Sequence, residues 1–566
     1  MKPDAATPAD PPDRGAGGSG WVGQEVTGHD VRASVVHRPC SLEQVQVLVK
    51  DARSRRVGLY PVSTGRNWGY GSASPVREGD ELVDLSGLTR IQGLERASID
   101  CPIVRIESGV TQGQLHAALQ ASHPELTFNV TGSALETSIL GNALDRGVGY
   151  LGPRAEDIFG LQVVLGTGEV LHTGAQWLGS GSPLADRARD VHGPSLDGLF
   201  LQGNFGIVVS AGFRLRPRPP CERAVAIGLR EPERLAELVD RLGRLKRGGV
   251  LPYVTHLANR SRSLATLEAG MLRYLSMHPA ARSASADAES ARRTLGRLVK
   301  GPWTGLSVVA GTDGQVREAV REVRRTLAGI ATVDVWSAQG LDRLARWAHR
   351  LRHWGALRGL AAAAHAARPL TALALGRPSD EPVRGLWPAE VAPGTGVPDP
   401  DRSPVGLLYV APLLPLEGRE TVLALRALED IARSHGFDLP VTLNFDAHAT
   451  LVAITNLAFD RRRAEQVAAA HRCAQALEAW IERGGVGPDR VRAASRRPRA
   501  PAERAERARG APASASRSCP ARAPGTRGAE GAPEAGFRPG WGGGARALRC
   551  RRAWRRGGVG LMRHHG

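Results

Sequence analysis

Leu42, Val45, Leu48, Val49 and Ala52 recur at helical spacing directly behind Ser41-Leu42-Glu43-Gln44, where Ser41 is placed as N-cap and Gln44 as the N3 partner of a capping box. The pattern predicts a helix that ends near Gly58 and hands over to a strand at Leu59-Tyr60-Pro61-Val62. Leu82 to Leu85 and Ile103 to Glu107 read as further strands, and Thr111-Gln112-Gly113-Gln114 opens a second capped helix through Leu119. Leu161 to Leu165, then Gly166-Thr167-Gly168, then Val170 to His172 read as a hairpin. Past Pro217 the texture changes. Leu306 to Ala310, Gln315 to Leu327 and Ala331 to Trp336 form a strand–helix–strand unit, and Val405 to Ala411, Glu420 to Ser434, Val441 to Leu443, Leu451 to Asn456 and Ala464 to Ile481 form a larger version. Units of this kind imply a sheet with helices on one face and substrate on the other. Strands and helices mixed without regular βαβ repetition indicate an α+β protein. No Gly-x-Gly-x-x-Gly opens a helix, which counts against a Rossmann domain.

The chain has 566 residues and no run of 18 apolar residues, so a conventional transmembrane helix is not expected. Residues 1–30 read as a flexible lead-in without the apolar centre of a signal peptide, and a cytoplasmic location is the expectation. Six cysteines occur without a Cys-x-x-Cys pair, so spacing supports no metal site. The net charge of +19 would suit a nucleic-acid binder, but its distribution does not. Val491 to Gly566 holds 18 Arg against 4 Glu and no Lys, Asn, Asp, Gln, Ile or Tyr. The Arg/Ala/Gly-rich segment 485–566 therefore reads either as a basic disordered extension or as a frameshifted, aberrant tail; 71 Arg against 4 Lys suit a GC-rich gene. Nucleic-acid binding would rest on this tail alone.

The densest chemistry lies in Ser63-Thr64-Gly65-Arg66-Asn67-Trp68-Gly69-Tyr70-Gly71, directly after a strand. Glycines can aim successive backbone amides at one anion, and Ser63, Thr64 and Asn67 add side-chain donors, a set suited to a pyrophosphate. Downstream come Thr131-Gly132-Ser133, Ser138-Ile139-Leu140-Gly141-Asn142-Ala143, Asp145-Arg146-Gly147-Val148-Gly149-Tyr150 and Asn204-Phe205-Gly206-Ile207-Val208. In order and spacing these motifs resemble the FAD-binding domain of the vanillyl-alcohol oxidase and 4-cresol dehydrogenase family, as does Val104 to Thr111 with Ser108 in place of proline. The resemblance is specific over about 38–217, weaker to about 484 and absent beyond.

That resemblance implies a two-subdomain FAD-binding domain of the p-cresol methylhydroxylase type over 31–217 and an α+β cap, or substrate, domain over 218–484. Cofactor contacts are expected from Ser63, Thr64, Gly65, Arg66, Asn67, Gly69, Tyr70 and Gly71, from Gly132, Ser133, Gly141, Asn142, Gly147 and Tyr150, and from Gly206, Ile207 and Val208. Tyr70 and Tyr150 fall where phenol-oxidising members hold a phenolate; each could equally close the edge of the flavin pocket. The covalent flavin attachment point on the cap strand aligns with Leu407, two residues from Tyr409, and the alternative histidine of related flavoproteins with Asn67, so noncovalent FAD is expected. The acid that some oxidases place near the flavin aligns with Ser133. His448 is a candidate base, or else a surface or core histidine, and Arg490 is a candidate remnant of the family's Tyr-Arg phenolate pair. The expected function is FAD-dependent oxidation of an alcohol or para-substituted phenol-like small molecule by hydride transfer to flavin N5, with O2 or an electron acceptor taking the electrons. A homodimer is one possibility for assembly. The alternative is a flavin-binding protein without turnover, its C-terminal segment having been lost.

Overall fold

The helix after Ser41 spans Leu42–Arg55 and buries Val45, Leu48, Val49 and Ala52. Ser41 Oγ accepts the Gln44 amide at 3.3 Å, while Gln44 Oε1 accepts the amide of Cys40 rather than that of Ser41. The reciprocal bond of the expected capping box thus closes one residue early. In this computed structural model, residues 25–484 and 487–488 are described, apart from 29, 30, 32, 34, 180, 181, 183, 191, 192, 280–283, 300 and 387–398. The expectations for Arg490 and for the rest of the 485–566 tail lie outside the described residues.

Leu59–Val62 and Val36–His37 flank Glu81–Asp84 in a parallel three-stranded sheet. A part-buried ion pair ties the first helix to it. The Arg55 guanidinium donates to both Glu81 carboxylate oxygens at 2.7 and 2.9 Å, and His37 Nε2 lies 2.7 Å from Oε2. A second sheet is antiparallel, in the order Val170–His172, Ile158–Leu165, Gly206–Arg214, Ile103–Glu107, Ile91–Gln92, and contains the expected hairpin. The helix Gln112–Ser122, with a complete Thr111/Gln114 capping box, packs on it through Leu115 and Leu119 against Val104, Ile106 and Phe213.

Two short two-stranded sheets, Leu126–Thr127 with Arg216–Pro217 and Val148–Gly149 with Gly152–Pro153, accompany these, and nine further strands form one antiparallel sheet. Its order is Ala331–Trp336, Cys221–Leu229, Trp303–Gly311, Thr255–Asn259, Val441–Phe445, Thr450–Asp460. The last of these is long enough to pair with Val405–Val410 near one end and with Pro412–Pro415 near the other, where Gly487–Pro488 completes the edge. Helices Leu235–Arg247, Asp313–Thr326, Gly418–Ser434 and Ala464–Arg483 share one core with Ile227, Leu257, Leu408, Leu443 and Phe445. Strand residues alternate faces, so Leu257 and Leu443 point into that core while His256, Thr442 and Asn444 point the other way. This is the helix-covered face the pattern predicts, but the opposite face is not left to substrate alone, since Val308 packs there against Ala374 and Leu375. Further helices, Arg260–Met277, Ala284–Leu298, Ala338–Arg350 and Gly355–Ala374, are not legible in the pattern; the last carries Pro369 inside it. No helix among the described residues is long and apolar enough to cross a membrane.

Residues 25–28 belong to the stretch expected to be flexible, yet they are held. The Val26 amide donates to Asp401 Oδ1 at 2.9 Å, the Val26 carbonyl accepts the Leu407 amide at 2.9 Å, and His471 Nε2 lies 2.7 Å from the Thr27 carbonyl.

The Arg55 fork, with His37 beside it, draws Glu81 from 4.5 down to about 2. A carboxylate whose folded pKa is depressed stabilises the fold above its unfolded pKa, and that contribution is lost as pH falls through the folded value. Unfolding curves of wild type and Glu81→Gln should therefore differ above pH 4.5 and converge on acidification toward pH 2. A constant separation over that window would show that the ion pair contributes nothing to the coupling.

Candidate active site

The turn that follows Leu59–Val62 is built from left-handed backbone. Gly65, Gly69 and Gly71 have φ of 63°, 79° and 130°, and Ser72 follows at 41°. Only glycine adopts such angles without strain. The Asn67 carbonyl accepts the amides of Tyr70 and Ser72, both at 3.1 Å, which closes the turn. A Cβ on Gly69 would collide with the Tyr409 ring. The missing side chain thus lets the Val405–Val410 strand approach until the Tyr409 amide donates to the Gly69 carbonyl at 3.1 Å. Gly141 plays the same part from the other side, since its Cβ would lie 2.6 Å from Ser63 Oγ. The short helix Ile139–Leu144 is capped by Ser138, whose amide donates to Thr64 Oγ1 at 3.1 Å. Asn67 Nδ2 donates to Asp145 Oδ2 at 2.7 Å. The two glycine-bearing motifs are in direct contact.

Charged side chains lock this turn to the larger sheet. Asp401, just ahead of the Val405–Val410 strand, accepts from Trp68 Nε1 at 2.9 Å, from Ser72 Oγ at 3.3 Å and from the Val26 amide. Burial pushes its carboxyl up to about 6, against the pull of those donors. Arg66 donates to Glu136 at 2.5 Å and to Asp399 at 3.1 Å, and its guanidinium carbon sits 5.6 Å from the Trp68 ring centroid.

Between the turn and the face of the large sheet that carries His256 lies a cavity of about 370 Å³, closed at one side by the helices Arg260–Met277 and Gly355–Ala374. One wall carries Arg66, Asn67, Tyr70, Gly132, Ser133, Asn142 and Tyr150; the other carries His256, Arg262, Thr304, Tyr409, Thr442 and Asn444. Tyr70 and Tyr409 stack with centroids 5.1 Å apart and planes inclined by 12°. Tyr150 lies 4.4 Å from the His256 ring, and burial pushes its phenol up, so it stays a neutral hydroxyl at neutral pH. His256 Nδ1 is 2.8 Å from Asn444 Oδ1, burial pulls the imidazole down to about 4, and Nε2 is buried without a hydrogen-bond partner. No Asp or Glu lines the cavity among the described residues.

The structure therefore gathers Arg66, Asn67, Tyr70, Gly132, Ser133, Asn142 and Tyr150 around one cavity, with Ser63, Thr64, Gly65, Gly69, Gly71 and Gly141 behind them in the turn and its helix. Gly147 sits against Asn142, where a Cβ would collide with that side chain. Gly206, Ile207 and Val208 lie in the Gly206–Arg214 strand, away from the cavity; Ile207 packs beneath the first helix and the Val208 carbonyl accepts Ser108 Oγ at 2.6 Å. His448 is a correction. It stands exposed in the turn between Val441–Phe445 and Thr450–Asp460, where its carbonyl accepts Arg247 Nη1 at 3.2 Å, and it does not line the cavity. The histidine that does is His256, which sequence reasoning missed along with Arg262 and Asn444. A signal existed: His256 and Asn444 are polar positions within apolar strands, the mark of a second face turned toward something other than core.

The residues present fit FAD. Left-handed glycines and neutral donors form a cradle for a pyrophosphate, and an aromatic-walled cavity continues from it. Comparison with known proteins agrees. A family profile described as an FAD binding domain matches residues 33–174. The 1'-carboxy-chondrochloren decarboxylase of Chondromyces crocatus is 30% identical over 467 residues, covering 81% of this chain and 84% of the relative. The 4-cresol dehydrogenase [hydroxylating] flavoprotein subunit of Pseudomonas putida is 33% identical over 222 residues, 39% of this chain and 42% of the relative. Among solved structures, p-cresol methylhydroxylase with substrate bound shares the fold, with a TM-score of 0.66 at 22% identity over 83% of this chain and 84% of that one.

Gly69→Ala places a Cβ at a left-handed residue, costing on the order of 1–2 kcal/mol, and drives it into Tyr409. Asp401→Ala leaves three donors unanswered, costing about 1–3 kcal/mol. Both variants should melt earlier and retain less flavin through gel filtration than wild type. Full flavin occupancy and an unchanged melting temperature in both would detach this knot from the cofactor site.

Proposed function

The chain belongs to the vanillyl-alcohol oxidase and 4-cresol dehydrogenase family of FAD-dependent oxidoreductases, and we propose that it oxidises an alcohol or para-substituted phenol-like substrate in the cavity between Tyr70 and His256. The observation that carries this reading is the arrangement of the cavity walls. Stacked Tyr70 and Tyr409 give an aromatic edge to a slot that suits a planar ring. Tyr150, kept neutral by burial, donates a hydrogen bond to a substrate oxygen. His256 stays uncharged at neutral pH and offers the cavity a ring nitrogen whose tautomer is set by Asn444. Bound FAD supplies the two-electron acceptor for a hydride leaving a C–H next to oxygen or an aromatic ring. O2 or an electron acceptor would be needed as the second substrate. With no carboxylate among the described lining residues, proton handling falls to hydroxyl and imidazole groups.

A second reading is favoured by the near full-length relative, whose name is that of a decarboxylase. In that reading oxidation is coupled to loss of a substrate carboxylate as CO2. Anaerobic addition of 4-alkylphenols or 4-hydroxybenzyl alcohols should bleach the flavin, and Tyr150→Phe, which removes one hydrogen bond to a developing oxyanion, should slow bleaching by about 10–100-fold without altering flavin content. Bleaching only by phenolic carboxylic acids, with CO2 released, would replace the first reading by the second; bleaching by aliphatic alcohols alone would overturn both.

The cofactor is expected to be held noncovalently, because Leu407 and Asn67 occupy the positions aligned with attachment points. Leu407 is fully buried in a cluster with Val26, Trp68 and Val383. Acid precipitation should leave all yellow colour in the supernatant. Colour in the pellet would overturn this and direct attention to Tyr409.

A further inference from the structure

We propose that the cap-side end of the cavity is a carboxylate subsite, with Arg262 as the residue that receives a carboxylate borne by an aromatic substrate. Among the described residues, two cationic side chains line the cavity, Arg66 and Arg262. Arg66 is satisfied by Glu136 and Asp399. Arg262 forms no ion pair with any described carboxylate, and its Nη1 is buried without a hydrogen-bond partner. A guanidinium in a partly desolvated cavity lined by no Asp or Glu among the described residues is costly, and its planar fork matches the two oxygens of a carboxylate better than the single oxygen of a phenolate. Its support is rigid. Arg262 sits in the first turn of Arg260–Met277, directly after the strand that carries His256, and the cap Asn259 accepts the Arg262 amide at 3.0 Å and the Val441 amide at 3.1 Å through one oxygen while donating to the Leu439 carbonyl at 2.8 Å. Tyr150 across the cavity and His256 beside it are neutral, so no described neighbour cancels the charge. Arg262 belongs to the wall opposite the glycine turn, which makes the anion a substrate group rather than the cofactor pyrophosphate.

The inference rests on the cavity being the substrate pocket, and binding separates the two claims. FAD-loaded full-length protein is titrated with 4-hydroxyphenylacetate and with 4-ethylphenol, following perturbation of the flavin spectrum, in wild type, Arg262→Gln and Arg262→Lys. Wild type should bind the carboxylate about tenfold or more tightly than the neutral phenol. Arg262→Gln should weaken carboxylate binding by about tenfold or more and leave 4-ethylphenol within about twofold, and Arg262→Lys should recover part of the loss. Flavin content and melting temperature should match wild type in both variants. Equal affinity for the two probes in wild type, or an equal loss of both in Arg262→Gln, would overturn the subsite while leaving flavin bleaching by neutral phenols as a separate test of the oxidation. Altered flavin retention or spectrum in ligand-free Arg262→Gln would overturn it in favour of a cofactor contact.

Discussion

Asp401 is the constraint on which the site depends. One buried carboxylate takes an indole N–H from the glycine turn, a hydroxyl from the turn's exit and a backbone amide from residue 26. Arg461 braces the same knot, donating to the Asp401 carbonyl at 2.8 Å and to the Glu25 carbonyl at 2.9 Å. A carboxylate so enclosed resists ionisation, and burial outweighs its donors. That tension is tolerable because every polar partner is answered, whereas removing the acid would strand all three donors in a dry place. The knot holds the large sheet's Val405–Val410 strand against the turn, and that contact brings the two walls of the cavity together.

Each wall follows from a different rule of local structure. The turn is shaped by left-handed residues, so its form is written in the positions of Gly65, Gly69 and Gly71. The opposite wall comes from strand alternation. Leu257 and Leu443 face the helices, which forces His256, Thr442 and Asn444 onto the other face. The chemistry then emerges at the contact: polar side chains excluded from one core meet a backbone cradle they could not have formed alone. Burial there keeps Tyr150 and His256 uncharged, which leaves Arg262 as a positive charge without a counter-ion among the described residues.

Much of the glycine turn and its partners was legible because those residues obey local rules. Gly69 and Gly141 mark close approach, and a Ser-x-x-Gln or Thr-x-x-Gln sequence marks a helix start even when, as at Cys40, the reciprocal bond shifts by a residue. The histidines show where legibility stops. His448 and His256 both sit in strand-rich sequence, and nothing within a few residues says which one faces a cavity. His448 falls on a hairpin turn and points to solvent, whereas His256 falls at the centre of a nine-stranded sheet. The N-terminal segment teaches the same lesson, since the composition of residues 1–30 gives no hint that 25–28 are gripped by side chains more than 370 residues away.

The sequence by itself determined the α+β class, the glycine turn and the family to which the chain belongs, because turn geometry, capping and alternation act over a few residues and leave their mark in residue type. Only the tertiary structure decided which side chains share the cavity. Tyr70 meets Tyr409, and Tyr150 meets His256, across separations in the chain that no local pattern spans. The physical reason is that burial and charge pairing are properties of the assembled surface. A histidine, an arginine or an aspartate acquires its protonation state and its partner only when the elements that enclose it have packed.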